Sequence, residues 1–209
     1  MAGPGPEITK TFYPDTSRSG YITRTDTFTT VYSATVGDGT IGIDTSPPAA
    51  LLKRWSMMIA FQVSGIPANA RITYVGIWFQ LDIAQPSCTP PGATWSNQVW
   101  MDGGGGIIGG TLDGTAQEYA GNKTNQIYSD YSWTGSPPSS QEMILGYEGS
   151  TAAGEITPGS SQQVDFAMPH QSYQAGDDCT RVFDFNGKVK SYLIIKYRLG
   201  SRLPLLGSG

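Results

Sequence analysis

The residue best suited to proton chemistry near neutral pH is the single histidine, His170 in AMPHQS. It lacks the companions of a nucleophilic triad, since no serine occupies a G-x-S-x-G elbow. Carboxylates are more plentiful. Glu118, Glu142, Glu148, Asp130 and Asp165 are the candidates for the acid and base that flank a glycosidic bond. That chemistry needs two carboxyls facing one another, and spacing singles out no pair. Asp102 and Asp113 bracket a glycine run, while Asp177 and Asp178 precede Cys179. Oxygen-rich loops of this kind hold Ca²⁺, but the spacing matches no EF-hand, and solvated turn aspartates are the plainer reading. These residues point away from an enzyme, and no metal and no cofactor is expected.

Three other groups could bind something. Trp95, Trp100 and Trp133, with Tyr128 and Tyr131, fall in the loop-rich middle of the chain. Exposed rings there would stack on the apolar face of a sugar; buried, the same rings would anchor loops to a core. Cys88 and Cys179 lack metal spacing and have no histidine nearby, so they are either a long-range disulfide pair or two free thiols. The run DGGGGIIGG at 102–110 suggests a phosphate cradle. A P-loop, however, continues into GK[ST] and a helix, and here the continuation is TLDG.

What must position these residues is a β scaffold. The chain has 209 residues, of which 14% are charged, with 27 Gly and 14 Pro. Soluble domains usually carry roughly 25% charge, and long helices with solvated faces need it, so turns and strands are expected instead. The formal net charge is −4 and the 13 Lys and Arg are scattered. Nucleic-acid binding draws on clustered cations, so neither a nucleic acid nor an anionic membrane is expected as partner. No window approaches 18 apolar residues, and the first residues, MAGPGPEITK, do not read as a signal peptide.

Alternation is clearest in RWSMMIAFQVSGIPANARITYVGIWFQL, residues 54–81. Trp55, Met57, Ile59, Phe61 and Val63 share one face, opposed by Ser56, Met58, Ala60 and Gln62. After a short break, Val75, Ile77, Phe79 and Leu81 oppose Tyr74, Gly76, Trp78 and Gln80. The half-apolar second faces predict strands in the middle of sheets, partly covered on both sides. KTFYP, GYITR, TFTTVYSATV and GTIGID read as earlier strands; EMILGYE, QQVDFAMP, CTRVFDFNG and KSYLIIKYRL read as later ones. Residues 84–140 read as long loops with a few short strands. The expected fold is an all-β, antiparallel sandwich of jelly-roll type over residues 9–200. It is flanked by extended arms at 1–8, with Pro4, Pro6 and Ile8, and at 201–209, with Leu203, Leu205 and Leu206.

The segments KTFYPDTSRSGYI, KRWSMMIAFQVSGIPANARITYVGIWFQL, CTRVFDF and KSYLIIKY resemble the DNRLRE-type β-sandwich modules over roughly residues 9–83 and 162–199. Ile66-Pro67-Ala68-Asn69-Ala70-Arg71-Ile72 fits the connection that leads into an apolar strand in those modules. Gln62 stands after Phe61 where the modules carry Asp. The resemblance implies a jelly-roll-like sandwich of a type found in cell-surface proteins, some of them carbohydrate-binding. It carries over no site residue.

Low charge, an all-β body with long loops and two arms together suggest a non-enzymatic structural protein of a virus particle. A bacteriophage capsid decoration (cement) protein or tail component fits, made in the host cytoplasm and placed in the virion. Its partners would be other virion subunits, a major capsid or tail protein, and copies of itself, gripped by arms that gain order on assembly. The alternative is an extracellular carbohydrate-binding module using the middle tryptophans.

Overall fold

The computed structural model describes residues 5–26, 30–44, 52–80, 87–89, 94–119, 125–134, 140–169, 178–183 and 190–200. Two antiparallel sheets face each other across one core. The smaller has four strands in the order β1 (Ile8–Phe12), β13 (Tyr192–Leu199), β6 (Ala70–Gln80), β10 (Ser140–Tyr147). The larger runs β7 (Ser87–Thr89), β12 (Asp178–Phe183), β4 (Gly39–Asp44), β5 (Leu52–Val63), β11 (Gln162–Met168), β8 (Thr94–Asp102), β9 (Gln126–Thr134). The hairpin β2 (Gly20–Asp26) and β3 (Thr30–Val36) joins it through β2 and β5.

The alternation in 54–81 does what it predicts for the inner faces. Met57, Ile59, Phe61 and Val63 of β5 meet Val75, Ile77 and Phe79 of β6 in the inter-sheet core, joined by Val164, Phe166, Leu193 and Ile195. The Phe79 and Phe166 rings lie 6.2 Å apart. Ala152, Ala153 and Ile156, in and just after the short helix α2 (Thr151–Gly154), pack on the same core.

β5 is buried on its second face as well. Met58 and Ala60, with Ile22, Ala167 and Trp100, pack beneath Ile107, Ile108, Leu112 and Tyr119. The last four come from segment 103–119, which ends in the helix α1 (Ala116–Tyr119) and roofs the larger sheet. Thr115 and Glu118 form a capping box at α1. The Glu118 N–H donates to Thr115 Oγ1 at 3.1 Å, and the Thr115 N–H donates to Glu118 Oε2 at 2.8 Å.

Two expectations change and a third is met. Within 84–140, where long loops were expected, β8 and β9 each run nine residues and pair with one another; Ser96, Asn97 and Gln98 interrupt the apolar alternation that announces a strand. Ile8, assigned to the N-terminal arm, is the first residue of β1. It pairs with Tyr197 and packs on the inter-sheet core. The second face of β6 is partly under cover, as expected: Tyr74 and Gly76 are buried and Trp78 is half-buried, with the neighbouring rings of the same sheet as the main cover.

Candidate functional site

That outer face of the four-stranded sheet is built from alternate residues of β13, β6 and β10. Register sets three rows across it. Tyr192, Trp78 and Glu142 form the first; Ile194, Gly76 and Ile144 the second; Lys196, Tyr74 and Tyr147 the third. Tyr13, just beyond β1, adds a ring beside Tyr192.

The rings cover one another. Trp78 and Tyr192 lie 6.3 Å apart and within 13° of parallel, and Tyr13 meets Tyr192 edge-on at 6.0 Å. Tyr147 meets Tyr74 edge-on at 5.7 Å, with Lys196 Nζ 4.8 Å from the Tyr74 ring centre. Gly76 makes this possible. A Cβ there would stand 2.5 Å from the Tyr74 hydroxyl, so the tyrosine ring lies where any other side chain would be. The hydroxyl donates to Glu142 Oε1. Burial, and then the Glu142 carboxylate, raise its pKa above the ordinary tyrosine value.

A bulge sets the far row. Register between β10 and β6 shifts between Ile144 and Gly146. Strict alternation would send Ile144 and Tyr147 to opposite faces; with the extra residue both are exposed, at 38% and 59%, while Leu145 is buried in the core. Tyr128 of β9 reaches this edge and its hydroxyl donates to the Ile144 carbonyl. Tyr13 is 58% exposed. These three rows make an aromatic surface with one cation and one carboxylate, bordered by Arg198 and Arg71 with their partners Glu7 and Glu148. It suits apolar and stacking contacts rather than bond-making chemistry.

The residues singled out in sequence are placed differently. Trp100 is buried in the roofed cluster, which removes it from sugar stacking and gives it the anchoring role. Tyr128 packs against the main core and holds the edge of the aromatic face. Register sets Trp95 opposite Trp133 and Tyr131 opposite Asn97. Cys88 is directly opposite Cys179. His170, Asp177, Pro4, Leu203, Leu205 and Leu206 lie outside the described residues; Pro6 is exposed ahead of β1.

Glu142, Glu148, Glu118 and Asp165 of the candidate acids are engaged with the fold, while the Asp130 side chain lies outside the described residues. Glu142 accepts from Tyr74, Glu148 pairs with Arg71, and Glu118 caps α1. Asp165 and Asp102 are register partners on β11 and β8, and together they hold the glycine run. Asp102 Oδ1 accepts from the Gly104 N–H at 2.7 Å and the Gly106 N–H at 3.0 Å. Asp165 Oδ2 accepts from the Ile108 N–H at 2.7 Å, and Glu155 Oε2 from the Gly103 N–H at 2.7 Å. Amides that would cradle a phosphate therefore already bind the chain's own carboxylates. Burial raises the Asp165 pKa, against the lowering effect of these hydrogen bonds. Among the described residues no group of three or more His, Cys, Asp or Glu could hold a metal ion, and no helix is long and apolar enough to cross a membrane.

No protein-family profile matches the sequence, and no curated relative matches it. Among solved structures, one titled "Structure of infectious bursal disease virus Gx strain" is similar over 95% of this chain and 39% of that one, at 12% identity and a TM-score of 0.28. This chain thus spans well under half of that chain's length, and so low a TM-score has no bearing on function.

Proposed function

We propose that this chain is a non-enzymatic structural subunit of a virus particle that packs against neighbouring subunits through the outer face of its four-stranded sheet. The observation that carries the reading is the face itself: Trp78, Tyr192, Tyr13, Tyr147 and Ile144 side by side, the last three exposed. Tyrosine and tryptophan at the centre of a patch, with few charges, are the residues that dominate binding energy between proteins. The finer assignment, to a bacteriophage decoration protein or tail component, belongs to the same proposal.

Hydrogen exchange tests it, comparing the free chain with the chain sedimenting in particles from the cells that make it. Slowed exchange over 74–78, 142–147 and 192–196 in the particle is expected. A chain that never sediments with particles, or one whose face exchanges equally in both states, overturns the reading.

The carbohydrate-binding alternative is favoured by one observation, the near-parallel Trp78 and Tyr192 rings. On that reading a polysaccharide would quench tryptophan fluorescence in the wild type and not in Trp78→Ala.

A further inference from the structure

The chain contains two cysteines among 209 residues, and the topology brings them to one rung. On the larger sheet Asp178 pairs with Thr89, Cys179 with Cys88 and Thr180 with Ser87. Directly opposed residues of an antiparallel pair have Cα atoms about 4.5–5.5 Å apart, within the roughly 4.4–6.8 Å that a disulfide spans. Directly opposed positions of a ladder share one face of the sheet. β7 also needs a fastening. It is three residues long, stands at the end of the strand order, and pairs with β12 alone among the described residues. Pro86, Pro90 and Pro91 flank it and have no N–H with which to extend the ladder.

We propose that Cys88 and Cys179 form an intrachain disulfide that fastens β7 to β12. The oxidant is a small-molecule disulfide such as oxidised glutathione. One cysteine thiolate attacks it, forms a mixed disulfide and releases one thiolate. The second cysteine thiolate then attacks the protein-side sulfur and releases the other. Two electrons pass from the two protein thiols to the oxidant, and two protons end on its two thiols. The inference rests on strand register and is independent of the role given to the aromatic face.

The test uses the full chain, folded, incubated with oxidised glutathione, then unfolded in an alkylating reagent without reductant. The expected result is no alkylated cysteine, with tryptic peptides 72–123 and 124–181 linked until reductant is added. Cys179→Ser and Cys88→Ser should each give no linked peptides, their single cysteine being either alkylated or joined to one glutathione. Reductant should lower the thermal midpoint of the wild type by on the order of 10 °C and leave the Cys88→Ser/Cys179→Ser variant unmoved. Two alkylated cysteines in the oxidant-treated wild type would overturn the proposal. So would a link found between two chains, seen as a dimer that reductant dissolves.

Discussion

β5 and β6 both carry apolar residues on two faces, and each sends one face into the shared core. Their second faces end differently. That of β5 carries Ser56, Met58 and Ala60, small or flexible side chains over which segment 103–119 lies as a second cluster. The roof comes close at Gly114 because it carries no side chain: a Cβ there would fall 2.6 Å from the Ala34 amide nitrogen of β3. Its amides remain satisfied because Asp102, Asp165 and Glu155 accept from them. The second face of β6 carries Tyr74, Gly76 and Trp78, and is covered chiefly by its own rings and those of β13 and β10. Apolar residues on both faces of a strand thus signal a surface that needs covering. The bulk of the side chains decides whether backbone can supply the cover or the side chains must cover one another.

The sharpest way to break this contrast is to cut one tryptophan from each face. Trp100→Ala should lower unfolding free energy by roughly 3–5 kcal/mol, the cost of emptying a packed site. Trp78→Ala should cost about 1 kcal/mol, mostly its stacking on Tyr192. Urea denaturation of both variants measures the gap. Equal losses would mean that the aromatic face is as buried in the free chain as the roofed one, and the contrast would fail.

Next in size is the carboxylate beneath the roof. Asp165→Ala removes the acceptor of the buried Ile108 N–H and of Gln163 Nε2, which should cost about 2–3 kcal/mol. Faster exchange should appear over 103–110 and not over 74–78; exchange spreading equally to both would show that the two faces do not respond separately.

The inner faces of β5, β6 and β13 could be read residue by residue, because a period of two survives wherever both neighbours are strands. β8 and β9 could not, since Ser96, Asn97 and Gln98 break the period and the sheet supplies the order that local sequence lacks. The candidate site was visible in its parts and invisible as a whole. Tyr74, Gly76 and Trp78 stand out as one face, and KSYLIIKYRL as a strand. What puts Trp78 beside Tyr192, or Cys88 beside Cys179, is register between distant strands, for which no local spacing is a signal. The bulge that turns both Ile144 and Tyr147 outward leaves no mark in the alternation either.

A subtler probe of the roof is pH. Asp165 has its folded pKa raised by burial, so the folded state holds that proton more tightly than the unfolded chain does. Its contribution to stability is complete below the unfolded value of about 3.9 and is lost as pH rises through the raised native value. Asp165→Asn has no such titration. The stability of Asp165→Asn minus that of wild type should therefore climb as pH rises from about 4 and then level off. Thermal melts across that range measure it, and a flat difference would show that this carboxylate is not held in a desolvated site.

The smallest expected effect tests how the outer face covers itself. Alanine ordinarily improves a strand position occupied by glycine, by about 0.5–1 kcal/mol. At Gly76 the new methyl would stand 2.5 Å from the Tyr74 hydroxyl and 2.9 Å from Cε1 and Cζ of its ring. The ring has to swing away, giving up its hydrogen bond to Glu142 and its place under Lys196. Those losses, about 1–2 kcal/mol together, slightly outweigh the gain, so Gly76→Ala should destabilise by less than about 1 kcal/mol. In a Tyr74→Ala background nothing remains to displace, and the same Gly76→Ala change should stabilise by about 0.5 kcal/mol. The two signs, measured by urea denaturation as a double-mutant cycle, depend on the tyrosine occupying the space above the glycine. If alanine stabilises in both backgrounds, the ring does not lie there and the face is not self-covered.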